Sequence, residues 1–495
     1  MQTRKGRWQE DLFVASPLSA LVAEDHILKR VEGILDLGWL HEAVRDVYCQ
    51  DNGRPSVDPE AALRLMLAGF FYNIKHDRAL MREAQSNVAI RWFAGYRLDE
   101  ELPDRSSLTR IRQRWGAELF RRVFVRTIGQ CAQAGLISAE TVHIDATLIR
   151  ADVSWDSLTT RHVDEVIEVN RETGEDEGGD EGSKPPRGRA AKGRKAKPKK
   201  YSPTDPDATM TTSCKQYHLE PSYKQHTAVD DKSGVIVDIA VTTGETSEGK
   251  ELLAQIERVE ANTCMEVKAV TCDGSYAHGA NYQALEERNI DAVIPPQRTP
   301  IARSGEQRIP ARRFKYDPQN DRVTCPAGRF LHRRGRTPNN NGSHFRAKAT
   351  DCKTCPLRAR CVAANQSSRT ITIFDSYPAL LRARRRKEKG WDEQTQARYS
   401  RHRWHVEGVH GRAKTQHGLA RATRRGIPNV QIQAYLTAIA MNLKKLAAQA
   451  WQNSGVSHFY ALLHHLKRLT HRATKFPSAA EPCTCPTLPA SLAAA

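Results

Sequence analysis

Three carboxylates and a group of thiols stand where their types and spacing could do chemistry. Asp145 lies inside TVHIDATLIR (Thr141 to Arg150), a run rich in β-branched and aliphatic residues that predicts a strand. A lone aspartate in such a strand is costly to bury unpaired, so it either accepts structural hydrogen bonds or binds a cation. Asp273 follows the apolar run Val267 to Cys272 and, with Gly274, ends that strand. Carboxyl ends of strands in α/β sheets are where sites gather. Glu407 lies in YSRHRWHVEGVHGRAK (Tyr399 to Lys414). As a helix at about 100° per residue, that stretch puts Arg403, Glu407, His410 and Lys414 in one wedge about 60° wide. A carboxylate flanked by cations suits a metal ion held beside a phosphate backbone, while a solvated, salt-bridged face accounts for the same charges. If the three carboxylates met, their repulsion would call for shared divalent cations. Two ions about 4 Å apart would polarise a phosphate, activate a water or 3′-hydroxyl and stabilise the leaving oxygen.

The thiols cluster later. Cys352-Lys-Thr-Cys355 has zinc-knuckle spacing, and Cys325 and Cys361 could complete a four-thiolate site. With one CxxC instead of two, reduced free thiols and an iron–sulfur cluster stay open beside structural zinc. The chain has 11 cysteines, and with no signal-peptide pattern after Met1 they argue against a disulfide framework. Gly244 to Lys250 (GETSEGK) matches the first seven positions of a phosphate-binding P-loop. Glu251 follows where that motif needs Ser or Thr, and its charge would repel phosphates, so the segment reads as a strand-to-helix turn without a nucleotide.

The elements that must position these groups follow from periodicity. Residues 1–140 read as helical. Pro59 opens an apolar helix to Asn73, and Asp77 to Tyr96 carries Leu80, Ala84, Val88 and Trp92 at fourfold spacing. Ser106 or Ser107 would cap a basic helix holding Leu108, Ile111 and Trp115, either the second helix of a helix-turn-helix or part of a plain packing domain. Residues 172–208, an acidic then a basic low-complexity block, predict a disordered linker. Gln225 to Thr243 predicts a hairpin with its turn at Asp231 to Gly234. A helix from Gly249 to Ala261, the Val267 strand, a helix from His278 to Arg288 and a strand from Ile290 to Ile294 complete a mixed sheet with helices. Residues 296–386 break into short Arg- and Pro-rich pieces, predicting an irregular basic insertion. Gln431 to Ala450 predicts an amphipathic helix packed on the sheet, and 451–495 a tail in which Cys483 and Cys485 form no pattern.

A chain of 495 residues has room for two to four domains. It carries 76 Lys and Arg against 57 Asp and Glu, a formal charge of +19. With Arg dense near the N-terminus, in 303–336 and in 382–425, that excess favours a polyanion, most simply nucleic acid, over several surfaces. No apolar run is long enough to span a bilayer, which predicts an intracellular protein without a membrane partner.

The order of elements and the three carboxylates resemble the DDE transposases of bacterial insertion sequences, whose catalytic domain is ribonuclease H-like. HIDATLIRAD resembles the first-Asp strand and CDGSYAHG the second-Asp turn. Arg403, Glu407 and Lys414 fit the spacing of a Tyr, Arg, Glu and Lys signature, three residues between Arg and Glu and six between Glu and Lys, with Tyr399 one place early. Arg424 to Gly426 and Asn442 to Leu446 are also similar to that group, as is a Cys-bearing insertion before the third carboxylate.

The resemblance covers roughly residues 55–450. It implies an α/β ribonuclease H-like domain from 141–295 and 387–450, behind a helical DNA-binding domain at 1–140. It further implies Asp145, Asp273 and Glu407 as ligands of two Mg²⁺ ions, replaceable by Mn²⁺, with Arg403 and Lys414 on DNA phosphates; His410 belongs to no signature position. Implied partners are double-stranded DNA at element ends and target and a second or further copies of the chain, in bacterial cytoplasm at the nucleoid. Cleavage at terminal inverted repeats and joining of 3′ ends would be phosphoryl transfers without a covalent enzyme intermediate. The rival readings are an inactive copy that still binds DNA and a stand-alone nuclease of the same fold.

Overall fold

The computed structural model describes residues 17–48, 56–154, 159–161, 199–211, 220–296, 309, 311–338, 341–363 and 365–453. The segments 172–198 and 454–495, with Cys483 and Cys485, lie outside the described residues. Met1–Leu446 forms one unit and Ala447–Ala495 a second, described only as the end of the last helix.

The first part is helical: α1 (Ile27–Glu32), α2 (Leu40–Val44), α3 (Pro59–Phe71), α4 (Asp77–Ser86), α5 (Val88–Phe93) and α6 (Arg105–Gln133). Asp58 caps α3 by accepting from the Ala61 amide at 2.9 Å, with Pro59 in the first turn where no amide is needed. The single period from Asp77 to Tyr96 is divided. Asn87 takes an extended backbone and caps α5, accepting from the Ile90 amide at 3.1 Å, because its short amide competes for backbone groups. Asp104 caps α6 in place of either serine, accepting from the Ser106 amide at 2.8 Å. Gly116, at φ 67°, kinks α6 in a conformation that side chains rarely adopt.

The central sheet has six strands: β1 (Thr141–Arg150), β4 (Thr209–Thr211), β5 (Glu220–Asp230), β6 (Ile236–Thr243), β7 (Ala269–Thr271) and β8 (Asp291–Val293). Its order is β4-β5-β1-β7-β8, with β6 also paired to β5. β1 runs antiparallel to β5 and parallel to β7, and β7 parallel to β8. Two crossover helices, α7 (Glu248–Thr263) and α8 (Gly279–Glu287), join these strands as the periodicity requires. A separate pair, β2 (Thr159–Arg161) and β3 (Lys199–Tyr201), is antiparallel.

Two expectations are corrected. The predicted linker is ordered from residue 199. Asp205 is buried, accepting from the Tyr223 hydroxyl and, at 3.2 Å, from the Gly426 amide, so this end of a charge-rich stretch is anchored by hydrogen bonds, with Ala208 buried beside it. The insertion is not irregular. Strands β9 (Lys315–Asp317), β10 (Arg322–Thr324), β11 (Phe330–Arg336), β12 (Gly342–Ala347) and β13 (Thr370–Phe374) form an antiparallel sheet. Phe314, Val323, Leu331, Phe345, Ile371 and Ile373 close a small core with Cys352 and Cys361. Its strands are too short and too rich in Arg for the alternation to show in the sequence.

Among the described residues the last four helices are α11 (Tyr377–Lys389), α12 (Glu393–His402), α13 (Gly408–Gln416) and α14 (Ile427–Asn453), after short α9 (Ala349–Lys353) and α10 (Arg358–Cys361). The helical front grips the far end of α13: Asn73 donates to the Thr415 carbonyl at 3.1 Å, and His417 to that of Phe70 at 2.9 Å. Asp77 joins Arg112 of α6 to Arg424 in the loop before α14. The apolar face of α14 packs on the sheet, and its amides do more. Asn442, fully buried, accepts from the Ile236 amide at 2.9 Å and donates to the Ile236 carbonyl at 2.8 Å. Gln431 does the same for the Val241 amide and Ile239 carbonyl at 2.7 and 3.1 Å. These amides cover the open edge of β6, whose backbone groups would otherwise be buried unpaired. Asn442→Ala is therefore expected to cost about 2–4 kcal/mol by stranding two backbone groups. Urea denaturation measures it, and a loss under about 1 kcal/mol would remove Asn442 from this role.

Candidate active site

Asp145 stands in the middle of β1. The parallel register pairs His143 with Thr271, and continuing it two residues brings Asp145 level with Asp273, just past the end of β7. Neighbouring strands lie about 4.8 Å apart, so the two residues stand side by side where β7 ends, and both line one cleft. Asp273 turns its side chain onto the Ser275 amide at 2.8 Å, starting a short helical turn. Glu407 arrives from the other side, on a π-helical turn (Arg403–Glu407) between α12 and α13 that packs on β1 and β5.

That turn corrects the uniform wedge. A π turn holds more residues than an α turn, and such turns recur at functional sites. Arg403 points out, 81% exposed, and pairs with Glu407 at 3.3 Å. His410 turns inward: its Nε2 bonds the Thr227 hydroxyl at 3.0 Å, and Nδ1 stands 3.6 Å from Asp145. Lys414 is half-buried in the same cleft as Asp145 and Asp273. Tyr399, one residue further from Glu407 than the signature has it, still lies near the carboxylates, whose charges add to burial in raising its hydroxyl pKa. Trp404, beside Arg403, is 79% exposed.

The electrostatics tie these groups together. Burial pushes the Asp145 carboxyl up to about 7, and the charges of Asp273, Glu248 and Glu407 add to the rise. Burial drives His410 down to about 3, so it is neutral. Lys414 is lowered by burial and by Arg150, against the pull of Asp145. Glu248, in the first turn of α7, is the carboxylate that sequence reading passed over; it sits inside GETSEGK, where the P-loop pattern drew attention to its neighbours.

Beneath the site runs a chain of polar contacts. Asp231 takes Arg401 through both oxygens at 2.7 and 2.8 Å and bonds His143 at 2.8 Å. His143 bonds the Thr271 hydroxyl at 2.5 Å, and that hydroxyl meets His402 of α12 at 2.9 Å. Burial lowers both histidines to about 4, leaving them neutral. The chain fixes the helix bearing Glu407 to the strands bearing Asp145 and Asp273.

Among the described residues, one triad of metal-ligand type draws its atoms within 4.8 Å, His143, Asp231 and His405. Asp231 is already engaged by His143 and Arg401, His405 stands 3.7 Å from it, and Arg401 and Lys445 place positive charge against the group. Asp145, Asp273 and Glu407 stand further apart, but they form an all-oxygen set in which the charges of Asp273 and Glu407 add to burial in raising Asp145, and such a set fits a hard divalent cation. Cys325, Cys352, Cys355 and Cys361 line one small cavity in the insertion, and the first three add to burial in raising the Cys361 thiol. The Arg329 amide donates to the Cys325 sulfur at 3.3 Å.

Residues 16–114 match the family described as Transposase domain (DUF772), and residues 324–447 match that described as Transposase DDE domain. The two matches support a DDE transposase. A cryo-EM structure of the piggyBac transposase synaptic complex with hairpin DNA is similar at 11% identity and a TM-score of 0.29, over 86% of this chain and 76% of that one. Among the described residues no helix is long and apolar enough to cross a membrane.

The raised Asp145 carboxyl has a stability consequence. Its folded-state pKa lies above the unfolded value, so its stabilisation is complete below the ordinary carboxylate range and is lost as pH rises toward 7. In chelator, Asp145→Asn is expected to gain on the wild type across that window, by up to about 4 kcal/mol at pH 8. Denaturation at pH 4 and pH 8 tests this, and a pH-independent difference would count against the clustered carboxylates.

Proposed function

We propose that the chain is the transposase of a bacterial insertion sequence, which cuts DNA at the element's terminal inverted repeats and joins the 3′ ends to target DNA. The observation that carries the reading is that Asp273 and Glu407, from elements far apart in sequence, both bring their charge to bear on buried Asp145, in and beside a single cleft. The strand order, with antiparallel β6, β5 and β1 followed by parallel β7 and β8, suits the ribonuclease H-like catalytic domain implied for 141–295 and 387–450. Residues 1–140 are then the DNA-end-binding domain.

Asp145, Asp273 and Glu407 would hold two Mg²⁺ ions, or Mn²⁺ in their place, which when bound polarise the scissile phosphate and activate the attacking water or 3′-hydroxyl. Neutral His410 orients the Asp145 carboxylate without competing for its charge. Lys414 and Arg403 take phosphate oxygens on either side of the cut, positioning the strand without reading its sequence. Arg403 exchanges its pairing with Glu407 for phosphate when DNA enters. Trp404 offers a flat aromatic face to an unpaired base. In the insertion, Cys325, Cys352, Cys355 and Cys361 would hold a structural Zn²⁺, stapling a small core that is otherwise too slight to be stable alone. Assembly of two or more copies on double-stranded DNA, at the bacterial nucleoid, belongs to the same reading.

A Mg²⁺-dependent cleavage and joining assay on the DNA flanking the gene tests it. Glu407→Gln is expected to lose about 100-fold or more of both steps. Equal cutting by the variant sinks the site assignment, and cutting without joining by the wild type favours a nuclease. Arg403→Ala and Lys414→Ala should each weaken DNA binding uniformly across sequences and reduce the salt slope by about 1. Metal analysis of the purified protein checks the thiols: absence of zinc removes that site.

A further inference from the structure

We propose that Glu248 is a fourth carboxylate of the divalent-cation site, presented by the first turn of α7 alongside Asp145 and Asp273. The proposal rests on reading the cleft as a cation site. Glu248 lines that cleft with both aspartates. It is also held there by construction. At Gly249 a Cβ would lie 2.1 Å from the ring of exposed His278, so the start of α7 lies close against the turn after Asp273. Buried Asn281 clasps the two segments, donating to the Gly249 carbonyl at 2.9 Å and the Tyr276 carbonyl at 3.0 Å.

Two observations say that something beyond the protein's own groups completes the site. The Ser275 hydroxyl touches both Glu248 and, at 2.5 Å, Asp273. A hydroxyl has one proton, so it can donate to only one of the two carboxylates. The other faces it without a proton between, an arrangement that a cation relieves. The Tyr276 hydroxyl is fully buried and has no partner among the described residues, while Asp145, Glu248 and Asp273 all bear on it. A buried donor beside three carboxylates is matched by a water in a cation's coordination shell. The simpler account of Glu248, an ion pair with Lys224 at 3.3 Å, offsets one charge and leaves both features unexplained. Each added carboxylate tightens a hard-cation site, so Glu248 would raise affinity over a three-carboxylate arrangement.

Mn²⁺ titrated into chelator-treated full-length protein, by calorimetry and by thermal shift, tests this for the wild type, Asp145→Asn, Glu248→Gln and Glu248→Asp. The expected result is Mn²⁺ binding lost in Asp145→Asn and weakened about tenfold or more in Glu248→Gln, with the metal-free Tm of Glu248→Gln no lower than wild type. Glu248→Gln binding Mn²⁺ like the wild type, while Asp145→Asn does not, overturns the role of Glu248 and leaves the cleft reading standing. Asp145→Asn binding like the wild type overturns the cleft reading, and Glu248's role with it. Should Glu248→Gln fail to fold, Glu248→Asp decides: weakened binding at an unchanged Tm supports the proposal, and unchanged binding overturns it.

Discussion

Carboxylates repel, and the architecture of this chain is a means of holding several of them together. Asp145 on β1, Asp273 past β7, Glu248 on α7 and Glu407 on the π turn come from four elements, and their charges add to burial in raising the Asp145 carboxyl to about 7. Such a group is unfavourable in isolation; it persists because the sheet and its crossovers, which place its backbone positions, are stabilised elsewhere. A divalent cation would turn that stored repulsion into affinity.

The scaffold around the carboxylates is mostly neutral and polar. His143, His402 and His410 are all held uncharged by burial, and each bonds a threonine hydroxyl, Thr271 or Thr227. They orient the Glu407 helix on β1 and β7 without adding positive charge that would compete with a cation. The charges that could meet a phosphate lie outside this layer: Arg403 is almost wholly exposed, and Lys414 stands at the cleft wall. In the proposed reading, separating neutral support from these cations would let one helix serve both a metal site and a polyanion.

The helical front is tied to the end of α13 through Asn73 and His417, and to the loop before α14 through the Asp77 cluster with Arg112 and Arg424. A displacement of α3 and α4 would therefore be felt at α13, which carries Lys414. In the proposed reading this would link a domain that recognises DNA ends to the groups that act on them.

The sequence by itself determined the alternation of strands and helices, the Asp231 hairpin turn, Asp145 and Asp273 as exceptions in apolar strands, and the spacing of Arg403, Glu407 and Lys414. These are local signals: period, turn chemistry, and a charge where propensity disfavours one. Tertiary structure alone decided the rest. The π turn that sends Arg403 outward and His410 inward comes from packing on β1 and β5, which a 100° periodicity does not contain. The five-stranded insertion was hidden because its strands are short and its core is completed only by residues dozens of positions apart. Glu248 was hidden for the same reason: nothing in GETSEGK marks it, and it gains meaning only where Gly249 and Asn281 bring it against the Asp273 turn.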